Sequence, residues 1–253
     1  MRRLQLASRY DYLRDFILGL PDRMETDGVY IYGGRRNLIK MFTAPDGIQL
    51  NVKQFKKPAW PNSLIYSYGL RSPKGQRAYD YPARLLEKGI ETPEAVAYIE
   101  DRNALGILQK SWFVSLQCPY GHRLYEFGEA QEGHYEKVAQ ALGTMVAEMH
   151  DKGCLHEDLS PGNVLWEASA QGIHFSLVDI NRMHFGTVSM KKGCRNFSRL
   201  WGPKRFYQIM IEAYAHRRGF DTDECLQLAY RSRARFWQHY LRSHEQVPFP
   251  LEL

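Results

Sequence analysis

One ten-residue stretch constrains this chain more than any other: His156-Glu157-Asp158-Leu159-Ser160-Pro161-Gly162-Asn163-Val164-Leu165. It follows a segment of helical period, turns at Pro161-Gly162 and enters a short apolar strand. Asp158 and Asn163 stand five residues apart. Sixteen residues beyond Asn163 comes Leu177-Val178-Asp179-Ile180-Asn181, an acid at the end of a second apolar strand. A polar hairpin loop with an Asx-turn at Asp158 or Asn163 would explain the first segment. It would not explain why an acid ends the next strand.

The flanking patterns divide the chain in two. Val29 to Tyr32 and Leu38 to Phe42 flank a Gly-Gly turn and predict a hairpin. Asp46-Gly47 marks a second turn, followed by alternation at Leu50, Val52 and Phe55. Gly75 to Lys88 predicts a helix with Leu85 and Leu86 inward, closed by Gly89, and Pro82 weakens its middle. Val96 to Ile99 and Trp112 to Leu116 are further strands. Beyond residues 117–121, where Pro119 and Gly121 interrupt the pattern, the period becomes helical. His134 to Lys152 carries Val138, Leu142, Met145, Val146 and Met149 on one face. Two short strands, Val164 to Trp166 and Phe175 to Val178, precede a tail whose stripes are Phe206, Ile209, Met210, Ala213 and then Leu226, Ala229, Tyr230, Phe236, Trp237, Tyr240. Strands first and helices second is α+β organisation.

Composition removes several classes. The 253 residues are 44% apolar and 25% charged, ordinary globular usage that excludes disorder, collagen and coiled coil. Four scattered cysteines without a CxxC pair predict reduced thiols in a cytoplasmic protein and no zinc site. Asp11, Arg14 and Asp15 break any signal-peptide core after Met1-Arg2-Arg3, and no apolar run approaches the ~20 residues of a membrane span. A net charge of +6 favours an anionic partner. No zinc-finger, recognition-helix or RNP-type pattern directs that charge to nucleic acid, and none is expected as a partner.

The His156–Leu165 segment with Asp179 resembles the H-x-D-x-x-x-x-N catalytic loop and D-F-G acid of the protein-kinase-like fold. The resemblance implies a bilobal α+β domain over residues 1–253: a β-rich N-lobe to about 117, a hinge at 117–121 and a helical C-lobe from 122. It implies ATP and Mg2+ as cofactors. Asp158 becomes the base that accepts the acceptor's hydroxyl proton; Asn163 and Asp179 become magnesium ligands, both offering hard oxygen. His156 becomes a residue that orients the loop. Lys53, in Leu50-Asn51-Val52-Lys53-Gln54-Phe55, resembles the phosphate lysine of V-A-I-K. Gly33, Gly34 and Arg35, with Arg36 and Asn37, form the loop that would cover the phosphates with backbone N–H groups. The acid that pairs Lys53 is Asp80 or Glu87; Asp80, nearer the helix start, is preferred.

Further segments narrow the resemblance to the bacterial lipopolysaccharide kinases that phosphorylate Kdo or heptose in the inner core. They are Gly34-Arg35-Arg36-Asn37-Leu38-Ile39, Val52-Lys53-Gln54-Phe55-Lys56, Leu85 to Glu94, Val178-Asp179-Ile180-Asn181-Arg182 and Cys194-Arg195-Asn196-Phe197-Ser198-Arg199-Leu200-Trp201. This implies an ATP- and magnesium-dependent sugar kinase whose acceptor is an anionic glycolipid at the inner leaflet. Two positions depart from protein kinases: Asp179-Ile180-Asn181 lacks the glycine of D-F-G, and Glu157 stands where an arginine often precedes the base. Control by a flipping or phosphorylated activation loop is therefore not expected. Arg182, Lys191, Lys192, Arg195, Arg199, Lys204 and Arg205 follow the metal acid and predict a basic acceptor region. Arg231, Arg233, Arg235, Phe236, Trp237, Tyr240 and Arg242 suggest a peripheral contact with the inner membrane. A protein or small-molecule kinase of the same fold and a pseudokinase scaffold are the alternatives. The short tail after Asp179 argues against the first, and the presence of Lys53, Asp158, Asn163 and Asp179 against the second.

Overall fold

The computed structural model describes residues 1–34, 37–57, 66–67 and 72–252. The chain forms two compact units, residues 1–87 with 92–118, and residues 88–91 with 119–253.

The first unit is built on a six-stranded antiparallel sheet of order β1-β5-β6-β4-β3-β2. Its strands are β1 (Arg2–Leu6), β2 (Val29–Gly33), β3 (Asn37–Thr43), β4 (Gln49–Phe55), β5 (Ala95–Arg102) and β6 (Leu108–Leu116). Helix α1 (Arg14–Arg23) and the turn before it lay Tyr10, Leu13, Ile17, Leu20 and Met24 against Leu50, Val52, Ile99 and Val114. Strand β1 and helix α1 were not apparent from the sequence pattern. Arg2 explains why the end strand holds: its guanidinium bonds Asp22 of α1 and Asp101 of β5, at 2.8 and 2.9 Å. Helix α2 (Lys74–Glu87) packs on β5 and β6, with the Tyr98 ring against Gly75. Strand β5 is thus covered on both faces, which is why Val96 to Ile99 read as one apolar run. The buried stripe of α2 is Gly75, Ala78, Pro82 and Leu85, so Leu86 points outward and is 40% exposed, contrary to the expected inward position.

In the second unit, α3 (Glu136–Asp151) crosses α5 (Lys204–Arg218), and α6 (Thr222–Tyr240) packs on α5 and on α4 (Met190–Asn196). Two small antiparallel sheets complete this unit. One joins β7 (His122–Arg123), β9 (Val164–Ser169) and β10 (Gly172–Leu177) in the order β10-β9-β7; the other pairs β8 (Cys154–His156) with β11 (Met183–Phe185). The α5 stripe is rotated from the expected one: Phe206, Tyr207, Met210, Ile211, Tyr214 and Ala215 are buried, because α5 is covered by α3 on one side and α6 on the other. The α6 stripe is Cys225, Ala229, Arg233 and Trp237, an every-fourth-residue line that includes an arginine. All four cysteines are free thiols and buried.

The α3–α5 crossing is close because Gly143 faces the chain at Met210. A Cβ at position 143 would overlap the Met210 carbonyl oxygen, a backbone atom that no rotamer change can move. Gly143→Ala should therefore cost about 2 kcal/mol despite its better helix propensity. Gly19→Ala in α1, with nothing within 4 Å of the added methyl, should gain up to about 1 kcal/mol. Urea unfolding of both variants checks the pair of opposite signs.

Candidate active site

Asp158 and Asn163 lie on the loop between β8 and β9, and Asp179 on the turn between β10 and β11. The β9–β10 hairpin, in register from Val164 opposite Leu177 to Ser169 opposite Gly172, brings the two segments side by side. Val178 N donates to Asn163 O at 3.0 Å, and Glu157 N donates to Arg182 O at 2.8 Å. The Asn163 side chain closes its own loop, Nδ2 donating to the Asp158 carbonyl at 2.9 Å. Commitment of that N–H end leaves the amide oxygen as the atom of Asn163 able to serve as a ligand.

His156 ties the loop to the strand end. The ring is fully buried; Nδ1 accepts from Asp158 N at 3.1 Å and Nε2 lies 3.0 Å from Val178 O. An accepting Nδ1 requires the proton on Nε2, so the ring donates to Val178. The loop carbonyl of His156 in turn accepts from Asn196 Nδ2 at 2.8 Å. Asn196 Oδ1 accepts from His150 Nε2 at 3.2 Å, and His150 Nδ1 accepts from the Tyr214 hydroxyl at 3.0 Å. A network therefore runs from the catalytic loop through α4 to α3 and α5. Gly162 is pressed from the other side: a Cβ there would sit 2.7 Å from the Tyr125 hydroxyl, whose ring packs edge-on against Trp201.

Asp179 has φ 55° and ψ 39°, and is the one non-glycine residue with positive φ among the described residues. Left-handed backbone costs an L-residue roughly 1–2 kcal/mol, least for Asp and Asn, and such strain gathers at functional sites. Asn181 donates from Nδ2 to Asp179 Oδ1. Its own Oδ1 is buried and has no hydrogen-bond partner among the described residues. Asn181 thus holds the carboxylate where D-F-G has glycine, and adds an orphaned oxygen beside it. The donor set is entirely oxygen, which suits Mg2+ and not zinc.

Two arginines reach the Asp158 carboxylate. Arg199 contacts Oδ1, and Arg182 lies 3.6 Å from Oδ2. The Arg199 guanidinium sits over the Phe236 ring at 5.2 Å, and partial burial lowers its affinity for a proton. Directly after it, the Leu200 and Gly202 carbonyls accept from Arg233 at 2.6 and 3.0 Å. Arg233 is fully buried over Tyr207, which corrects the expectation that it faces lipid. The other basic residues of the expected acceptor region disperse; Arg205, for example, lies near Glu212 at 3.9 Å.

In the first unit, Lys53 is buried on β4, opposite Ile39 and Phe113. Asp80 is exposed on α2 and accepts from Gln76 Nε2 at 2.8 Å. Among the described residues no ion pair joins Lys53 to Asp80 or Glu87; both acids lie off the buried stripe of α2. Gly33 ends β2, and Gly34 N donates to Asn37 O at 3.0 Å across the turn. Arg35 and Arg36 lie outside the described residues. A cavity of 540 Å3 in the second unit is lined by α3, β10 and residues 89–91, and contains none of the candidate residues.

The sequence profile of the family described as "Lipopolysaccharide kinase (Kdo/WaaP) family" matches residues 62–213, more than half of the chain. The chain belongs to this lipopolysaccharide kinase family. Among solved structures it is similar to one titled "WaaP in complex with acyl carrier protein", with a TM-score of 0.61 at 19% identity over 94% of this chain and 99% of that chain. The Rio2 kinase of Chaetomium thermophilum aligns with a TM-score of 0.47 at 15% identity, over 93% of this chain and 72% of that one. For the Leishmania major MAP kinase LmaMPK10 the values are 0.43, 15%, 95% and 75%. No curated protein sequence matches. The fold of the family is kinase-like, α+β, with the sheet in the N-terminal part and the helices later.

Asn181, Asn196 and His150 went unassigned in the sequence reading. Asn181 and Asn196 lie inside the quoted family segments, but nothing in linear sequence shows that one amide holds a carboxylate and the other a carbonyl. His150 is the clearest test of this network. Burial, with the charges of Arg218 and Lys192, pushes its pKa down to about 3, against the opposing effect of its hydrogen bond to Asn196. The folded protein therefore keeps His150 neutral while the unfolded chain protonates it below about pH 6.5. This contribution is full above that pH and falls as pH drops toward 3, by about 2 kcal/mol between pH 6.5 and 5. Urea unfolding at pH 7 and pH 5 should show that slope in the native protein and lose it in His150→Gln.

Proposed function

We propose that this lipopolysaccharide kinase transfers the γ-phosphate of ATP to a sugar hydroxyl of the inner core, on Kdo or heptose. The observation that carries the reading is the hydrogen-bonded pair of segments in which His156 and Asn163 hold Asp158 beside the strand end that bears Asp179. Asp158 takes the acceptor's proton as the hydroxyl attacks, a role whose group needs a lone pair near the reacting oxygen. Asn163 and Asp179 would hold Mg2+, with Asn181 fixing the Asp179 carboxylate; bound there, the ion neutralises the nucleotide phosphates. By the same resemblance Lys53 would neutralise the nucleotide phosphates, and Gly33 and Gly34 would belong to the loop that covers them.

The acceptor is an anionic glycolipid, and the two arginines at Asp158 support that choice. No helix among the described residues is long and apolar enough to cross a membrane. In this reading the enzyme is cytoplasmic and visits the inner membrane to meet its acceptor. Asp158→Asn should reduce transfer from radiolabelled ATP to a Kdo-containing lipid A precursor by about 10²–10⁴-fold, with ATP binding retained. Asp179→Asn should raise the Mg2+ concentration needed for half-maximal nucleotide binding. Undiminished transfer by Asp158→Asn would overturn the base assignment; no transfer by the native protein to any acceptor would favour a scaffold.

A further inference from the structure

Asp158 is a masked base. Arg199 contacts one carboxylate oxygen and Arg182 lies 3.6 Å from the other. A guanidinium set against a carboxylate oxygen occupies the lone pair that would otherwise receive the acceptor's proton. The masking group is nevertheless reachable, since the Arg199 side chain is 38% exposed and that of Arg182 42%. Half-exposed pairs of this kind are weakly held in water. Arg199 also has supports that do not involve the carboxylate. Phe236 lies beneath its guanidinium, and Arg233 fixes the next carbonyls of its own chain segment. The guanidinium can therefore change its anionic partner without losing its place.

We infer that Arg199, aided by Arg182, is an exchange gate: an acceptor bearing a carboxylate beside its reactive hydroxyl takes the guanidinium from Asp158 and so unmasks the base. This rests on the kinase reading above and adds a specificity rule to it. The planar guanidinium fork can take an incoming carboxylate by two parallel N–H···O bonds, which a compact ammonium would not do. Once the acceptor is seated, its hydroxyl proton passes to the freed Asp158 carboxylate. The hydroxyl oxygen bonds to the γ-phosphorus, and the bond to the bridging oxygen breaks with its electron pair leaving on ADP. An alcohol without the neighbouring acid leaves the gate shut. Water meets the same closed base, which limits wasteful hydrolysis of ATP.

The test compares the native protein with Arg199→Gln in three reactions with ATP and Mg2+. One uses a Kdo-containing lipid A precursor, the second the same precursor with its carboxyl reduced to the alcohol, and the third water alone. On the intact acceptor, Arg199→Gln should lose about ten- to a hundredfold in kcat/KM, the weight of a charged hydrogen bond. On the reduced acceptor, where the native enzyme is slow because the gate stays shut, the variant should be several-fold faster. Hydrolysis of ATP without acceptor should rise several-fold in the variant. Equal losses on both acceptors, or hydrolysis that falls with transfer, would overturn the gate and make Arg199 structural. Arg182→Gln should shift all three rates in the same directions by less, and keeps the test open should Arg199→Gln fold poorly. If the native protein phosphorylates no glycolipid, the acceptor reading fails, while the hydrolysis comparison still decides the gate.

Discussion

His156 holds two stretches of chain at once, accepting from the Asp158 N–H and donating to the Val178 carbonyl. The candidate site depends on those two hydrogen bonds because its acids come from two separate segments, flanked by the β9–β10 hairpin and the β8–β11 pair. A fully buried ring leaves no room for water to replace either partner. Loss of the ring would strand a buried donor and a buried acceptor together. The same demand for a neutral, correctly protonated imidazole recurs one layer deeper at His150, so the helical unit rests on two buried histidines in series. Asn196 joins them with both ends of its amide, one toward each.

The fold was legible where a single local rule decides it. Turn glycines and alternation located β2 to β4, and the 3.6 period located α3, since each reports one buried face. The misses share a cause. Strand β1 and helix α1 carry ordinary mixed sequence; they are ordered by Arg2, whose partners Asp22 and Asp101 are distant in the chain. The α5 stripe was displaced because two helices cover it, and a periodicity of one face cannot describe two. Arg233 was assigned to a lipid-facing surface by its charge, but two carbonyls and the faces of Tyr207 and Phe249 receive it inside.

The site was legible to the level of its motif and no further. Asp158, Asn163 and Asp179 fall on a spacing that chemistry constrains. The residues that set their geometry do not. Asn181 was visible only as a departure from D-F-G, yet its amide holds the Asp179 carboxylate while the backbone of Asp179 sits left-handed. An acid fixed in this way has no free glycine beside it to swing on. The preferred lysine partner, Asp80, shows the reverse limit: helix position alone placed it, and the buried stripe of α2 turned it outward.

Arg233 and Arg199 are near neighbours with opposite relations to the surrounding electrolyte. The clamp made by Arg233 works through carbonyl dipoles and ring faces, with no solvent-exposed surface through which mobile ions could weaken it. The charge of Arg199 is open to the medium, so dissolved anions compete for it. Ionic strength therefore acts as a dial on the outer arginine alone, while the inner one keeps the segment's shape at any setting.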